Sequence, residues 1–338
     1  MNADGGIYGR KLTLDIEDDQ YTPANTRPLT QKLVEQVKVF ADISSLGTAT
    51  NAQVFDYLNE QQVPQLFVAT GASQWGADPA AHPWTTGFPP DYQTIGQNFA
   101  RYIQQNLKGK KIGILYQDDD FGKDYVTGLK KVLGDRGTAD NPIVDEEVYE
   151  AAQPDVSGQV TSLKNKGAEA LYIVATPVPA GSALKAIGNL SWQPAIVLSD
   201  TAVDTKLFDL AGGKQNVEHV VSAGWYHQPN ETSDPGVQAV IAFLKQNAPD
   251  LQLSNWPIYG YIAAQLYVEA FKCAGVNPTR ASLMQAVESF SGFQVAQLLP
   301  GVTVSMSNTD HRPIKCIQLS KAHDGAFTFF GDALCASK

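Results

Sequence analysis

Between residues 92 and 225 the hydrophobic pattern changes period repeatedly, and this switching restricts the fold more than any single motif. Helical spacing over 92–107 (Ile95, Phe99, Ile103, Leu107) gives way to a strand at 111–116. A helix over 121–133, with Tyr125, Leu129 and Val132 on one face, precedes a strand at 143–149. A helix at 156–166, an unbroken apolar run at 170–175, a helix at 183–189 and strands at 195–198 and 220–225 complete the region. A 3.6-residue period marks helices with one buried face, and short continuous apolar runs suit strands covered on both faces. Alternation of the two predicts an α/β fold of parallel sheets flanked by helices.

The N-terminal region shows the same step. It reads as a strand at 11–16, a helix at 28–37 with Leu29, Leu33, Val34 and Val37 on one face, a strand at 39–43, a helix at 51–60 and a strand at 65–69. A polar, proline-marked passage over 78–90 ends at Pro89-Pro90, a boundary signal. Beyond Pro229, helical stretches at 235–247, 257–274 and 278–290 follow one another and cover existing sheet. Two β-rich runs, 314–320 and 326–330, flank His323-Asp324-Gly325 and read as a hairpin. Centring that hairpin on Asp324 brings Cys316 and Cys335 near register, so they are expected to pair and to leave Cys273 as a buried thiol.

At 338 residues, 43% apolar and 18% charged, the chain can build two cores. A net charge of -10 and a pI near 4.9 argue against binding a phosphate backbone, so nucleic acid is not expected. No apolar run reaches the roughly 18 residues of a membrane span, and residues 1–25 contain no stretch of signal-peptide kind. Neither G-x-G-x-x-G nor G-x-x-x-x-G-K-[ST] occurs, so no cofactor is assigned. His82, His219, His227, His311 and His323 are scattered as surface or loop residues without metal-ligand spacing. Ser73 lacks the G-x-S-x-G elbow of a serine nucleophile, and no catalytic residue or metal site is assigned. Asp118-Asp119-Asp120 reads as a solvated loop or a cation site, and Asn189-Leu190-Ser191 and Asn230-Glu231-Thr232 fit the glycosylation sequon.

Small hydroxyl and glycine residues stand at the carboxyl ends of two predicted strands: Ser44, Ser45, Gly47 and Thr48 after one, Thr70, Gly71, Ala72 and Ser73 after the next. Open α/β sheets bind ligands at such ends. Each loop is expected to lead into a helix, whose free N–H groups, with the hydroxyls, can hold a carboxylate without lysine or arginine. Ordinary helix capping accounts for the same residues.

The chain resembles the type I periplasmic solute-binding proteins of the leucine/isoleucine/valine-binding class over essentially its whole length. The opening run Asn2-Ala3-Asp4-Gly5-Gly6-Ile7-Tyr8-Gly9-Arg10-Lys11, Asp18-Asp19 and Lys32-Leu33-Val34 before Val39-Phe40 carry the likeness. Tyr259-Gly260-Tyr261, Ala263-Ala264-Gln265, Leu299-Pro300-Gly301-Val302 and Phe330-Gly331-Asp332 are similar to the branch that includes binders of aromatic acids. The resemblance implies two Rossmann-like lobes joined by three crossovers, with ligand in the cleft and hinge closure around it. Lobe 1 would comprise 1–90 and 229–312, and lobe 2 would comprise 91–228 and 313–338. Crossovers would fall near 89–91, 225–229 and 301–313.

The family's carboxylate-binding positions map onto Gly47, Thr48 and Ala49 and onto Thr70, Gly71, Ala72 and Ser73; its second-lobe positions map onto Tyr92, Phe121 and Asp200. An acid near Asp200 meets the ligand's ammonium in amino-acid-binding relatives, although Asp200 also suits the N-cap of a following helix. Phe121 replaces a frequent tyrosine and favours an aliphatic or aromatic tail, with Trp256 and Tyr259 either adding to that wall or packing in the core. The implied function is the substrate-binding component of an ABC importer. It would be a monomer that binds a branched-chain amino acid or related aliphatic or aromatic carboxylate and meets a membrane permease, without enzymatic activity. Its setting would be periplasmic, or extracellular with a lipid tether. A sensor domain of the same fold is the alternative, and an α/β enzyme a weaker one. The family normally has an export signal and a first strand and helix ahead of the point matching Met1. A shortened chain is therefore also expected, with impaired binding and unpaired edges in lobe 1.

Overall fold

The computed structural model describes residues 1–336. Helix α1 (Pro23–Gln31) continues into a π-helical stretch, Lys32–Val37, and is followed by β1 (Asp42–Ile43), α2 (Thr48–Asn51), α3 (Phe55–Glu60) and β2 (Gln65–Leu66). The alternating region comprises α4 (Tyr92–Asn106), β3 (Ile112–Gln117), α5 (Asp120–Leu133), β4 (Ile143–Tyr149), α6 (Ser157–Asn165), β5 (Ala170–Val174), α7 (Pro177–Asn189), β6 (Ala195–Leu198), α8 (Leu207–Leu210) and β7 (Val221–Gly224). Helices α9 (Pro235–Asn247), α10 (Asn255–Ala274) and α11 (Arg280–Glu288) follow, and strands β8 (Cys316–His323) and β9 (Ala326–Cys335) close the chain.

Two compact units result: Met1–Asp91, Tyr259–Val295 and Thr303–Lys315 form the first, and Tyr92–Ile258, Ala296–Val302 and Cys316–Lys338 the second. Residues 229–258 and 296–302, expected with lobe 1, group with the second unit, and Asp91 and 313–315, expected with lobe 2, group with the first. Local contacts explain the placement of α9: Gly236 lies against the backbone of Ala296, the Gln297 side chain donates to the Gly236 carbonyl at 2.9 Å, and Asn255 donates to Gln228 at 2.9 Å.

The second unit is built on a seven-stranded sheet of order β4-β3-β5-β6-β7-β8-β9. Its first five strands are parallel, and the terminal hairpin adds two antiparallel ones, making the sheet mixed. All five residues of β5 are buried, as expected of a central parallel strand with helices over both faces. One core cluster runs from Leu115 and Ile173 to Leu184 and Leu207 and reaches Phe327 in the hairpin. Cys316 stands opposite Cys335 across β8 and β9, and a disulfide joins them. Cys273 is exposed, not buried as expected: it lies near the end of α10 on a solvent-facing side, where its Sγ is 3.8 Å from Glu269.

Helices α4 and α5 lie close together because glycines line their contact. A methyl group at Gly96 would collide with the Tyr125 carbonyl, and one at Gly128 with the Gln93 backbone. The acidic run has a structural role at the start of α5: Asp119 accepts the Gly122 N–H at 3.2 Å as N-cap, and Asp118 pairs with Lys123 at 2.8 Å. No group of three metal-binding side chains occurs among the described residues.

In the first unit β1 and β2 pair in parallel, Asp42 with Gln65 and Ile43 with Leu66. These strands are shorter than the apolar runs 39–43 and 65–69 because the backbone turns left-handed at Lys38 (φ 63°), Ser44 (φ 51°) and Phe67 (φ 52°). Each such residue breaks the extended conformation that a ladder needs. Pairing resumes beyond the break at a parallel bridge between Leu46 and Ala69. Residues 11–16 are not a strand. The Asn2 side chain holds Leu12 through its N–H and carbonyl (3.0 and 2.7 Å), and Leu14 and Ile16 remain 64% and 79% exposed. Alternation alone did not provide a partner ladder. His311 also departs from expectation, being fully buried between the Thr85 carbonyl (2.8 Å) and Glu288 (3.0 Å).

Candidate functional site

The two hydroxyl-rich loops come together within the first unit. The Leu46–Ala69 bridge sets them side by side, and the Thr48 and Thr70 hydroxyls lie 2.7 Å apart, both buried. Thr70 Oγ1 also accepts the Ala72 N–H at 3.1 Å, fixing the turn through Gly71. Buried Asn51 braces the first loop by donating to the Ser45 and Gly47 carbonyls at 2.9 and 2.6 Å, and Gln65 donates to its Oδ1 at 2.9 Å. Gly47 has φ 100°, and a Cβ there would stand 2.6 Å from both Thr50 and Tyr21, so glycine is required. Ala49 and Thr50 lie in the single turn of α2. Contrary to expectation, the second loop does not open a helix: residues 73–77 form turns. Hydroxyls and loop amides, rather than two helix dipoles, are what these loops present.

The second unit gathers Tyr92, Phe121 and Asp200 around a residue not singled out as ligand-binding, Tyr125. Tyr92 stacks on Tyr125 with ring centroids 4.4 Å apart, and Phe121 meets Tyr92 and Tyr125 edge-on at 5.5 and 5.7 Å. The close approach of α4 and α5 at Gly96 and Gly128 makes that stacking possible. The Tyr125 hydroxyl donates to Asp200 Oδ1. Burial raises the Asp200 carboxyl to about 6, partly opposed by this hydrogen bond and by backbone N–H groups of Asp200 and Thr201. Burial and the Asp200 charge together hold the Tyr125 phenol well above its ordinary range, so the proton stays on tyrosine. Asp200 opens a 3-10 turn, Asp200–Ala202, and no side-chain capping bond stabilises that turn.

Tyr226 extends the cluster. Burial raises its phenol, the charges of Asp200 and Asp204 add to the effect, and a hydrogen bond with Asn255 opposes it. Among the described residues neither Asp200 nor Asp204 forms an ion pair. Trp256, at 49% exposure, belongs to the second unit. Tyr259 belongs to the first, where its ring meets Phe88 edge-on at 4.9 Å in an aromatic row with Phe67 and Tyr267. In the sequence Tyr125 stands only on the core face of its helix, although its spacing of four from Phe121 places the two side by side. Asp204 bears the same spacing to Asp200 and gave no other signal.

A sequence profile for the periplasmic binding proteins matches residues 1–326. The chain belongs to the periplasmic binding protein family, in its type I, leucine/isoleucine/valine-binding-like group. An amino acid binding protein of Pseudomonas aeruginosa is 24% identical over 294 residues, covering 83% of this chain and 73% of the relative. A Leu/Ile/Val-binding protein homolog of Brucella melitensis is 22% identical over 306 residues, 88% of this chain and 77% of the relative. The crystal structure of a branched chain amino acid ABC transporter protein from Thermus thermophilus with bound valine superposes with a TM-score of 0.85. It covers 99% of this chain and 88% of that one at 19% identity, a likeness of fold. The family consists of solute-binding proteins.

Proposed function

We propose that this chain is the substrate-binding component of an ABC importer, and that it holds a small amino acid without altering it. The observation that carries the reading is the buried aromatic cluster of Tyr92, Phe121 and Tyr125 around Asp200, a carboxylate with no cationic partner among the described residues. A buried, uncompensated carboxylate favours a ligand that brings positive charge, and aromatic faces beside it favour an ammonium and an apolar tail. The hydroxyls of Thr48 and Thr70 with the nearby loop amides are uncharged donors of the kind that suits a carboxylate. Gly47, Ala49, Gly71, Ala72 and Ser73 shape that loop pair, and in this reading Trp256 and Tyr259 add to the ligand wall.

The bound valine of the Thermus thermophilus protein and the names of the bacterial relatives support an aliphatic α-amino acid as the ligand class. A membrane permease is the partner in this reading, the working form is a monomer, and the setting is periplasmic or extracellular with a lipid tether. Calorimetric titration with valine, leucine, phenylalanine and their deaminated acids tests it, with mass spectrometry of the recovered ligand. One amino acid bound per chain and recovered intact is the expected result; a chemically changed ligand, or no binding by any of them, overturns the reading.

A further inference from the structure

Asp204 stands in the loop between β6 and α8, four residues after Asp200, and is 6% exposed. One of its oxygens is used locally: Oδ1 accepts the Lys206 N–H at 2.9 Å and fixes the start of the turn before α8. The other, Oδ2, is buried and accepts no hydrogen bond from the described residues. Its charge acts on the same Tyr226 hydroxyl as that of Asp200. A buried carboxyl oxygen without a donor is costly, and a bound molecule that supplies the donor is one way a native fold offsets that cost. Two acids four residues apart whose charges act on one tyrosine, with no lysine, arginine or histidine paired to either among the described residues, make a larger acidic locus than Asp200 alone.

We infer that Asp204 is a second ligand-binding acid whose Oδ2 accepts an N–H of the ligand's cationic end, so that the site selects primary ammonium groups over N-methylated ones. A primary ammonium has three donors, enough to serve Asp200 and Asp204 together, and each N-methyl removes one. The inference rests on the reading that Asp200 receives the ligand's ammonium.

The test is calorimetric titration of L-valine, N,N-dimethyl-L-valine and 3-methylbutanoate into wild type, D200N and D204N. The D204N side chain keeps the Oδ1 acceptor for the Lys206 N–H, so its thermal midpoint should be no lower than that of wild type, while L-valine binds about 10- to 100-fold more weakly. The discrimination between L-valine and its dimethyl form should shrink in D204N, and 3-methylbutanoate should be unaffected. Unchanged L-valine affinity in D204N alongside a loss in D200N overturns the role of Asp204 and leaves the ammonium reading standing. This is also the result if Oδ2 merely holds a buried water. Equal weakening of L-valine and 3-methylbutanoate in D204N marks a structural effect and overturns the inference too. Wild type that prefers 3-methylbutanoate, or binds none of the three, overturns both.

Discussion

Replacing Asp200 with asparagine should stabilise the ligand-free protein while impairing its binding. The Asp200 carboxyl sits at about 6 in the fold against 3.8 for the unperturbed group, mainly because burial disfavours its charged form. The folded chain therefore holds this proton more tightly than the unfolded chain, and binds more protons between those two values. Stability must then fall as pH rises through that window: the cost is absent below about 3.8 and complete above about 6. At roughly 1.4 kcal/mol per pH unit the shift amounts to up to about 3 kcal/mol. In D200N the amide oxygen can still accept the Tyr125 hydroxyl, so the aromatic stack keeps its anchor while the buried charge is removed. Urea unfolding followed by tyrosine and tryptophan fluorescence should show D200N more stable than wild type at pH 8, by up to about 3 kcal/mol, and nearly equal at pH 3.5. Comparing the two proteins at each pH cancels the other titrating groups they share. A D200N protein less stable than wild type at pH 8, or a difference that does not change with pH, refutes the reasoning.

Further consequences concern the scaffold around each cluster. Gly96→Ala forces α4 away from the Tyr125 carbonyl, and thermal denaturation should show a loss of about 1–3 kcal/mol from overpacking, with weaker ligand binding as Tyr92 shifts on Tyr125. Asn51→Ala removes the brace on the Ser45 and Gly47 carbonyls and strands a Gln65 donor, so chemical denaturation should register about 2–3 kcal/mol. Thr70→Val deletes the contacts to Thr48 and to the Ala72 N–H, and titration should show weaker binding of valine and of 3-methylbutanoate alike, since both carry the carboxylate. Thiol titration without reductant should count one reactive group in the native protein, Cys273, and still one after denaturation.

The alternating α/β region of the second unit was legible because each element announces its own period: β4 and β6 span the residues the pattern indicated, and α9 does as well. The first unit was harder to read for a backbone reason. Left-handed residues at Lys38, Ser44 and Phe67 cut its strands to two residues each, and nothing in an apolar run reveals a φ of about 50–60° at a serine or phenylalanine. The 11–16 segment failed for want of a ladder partner, a long-range property that local alternation does not encode. Site residues followed the same division. Thr48 and Thr70 stand at strand ends, where α/β folds bind ligands, and their pairing follows from parallel neighbours in register. Tyr125 was visible only as a core-face residue, because a tyrosine that packs and one that hydrogen-bonds an acid present the same period. Asp204 is apparent only once burial and hydrogen bonding are known.

The central claim is that Asp200, as a carboxylate, receives the ammonium of an amino-acid ligand, and the dependence of affinity on pH tests it most directly. The valine ammonium stays charged from pH 5 to pH 8, whereas Asp200 loses its proton near 6. The account predicts that L-valine affinity measured by calorimetry rises about tenfold per pH unit below that point, levels above it, and is accompanied by proton release at the acidic end. Affinity that is flat across the range, or that falls as pH rises, contradicts it.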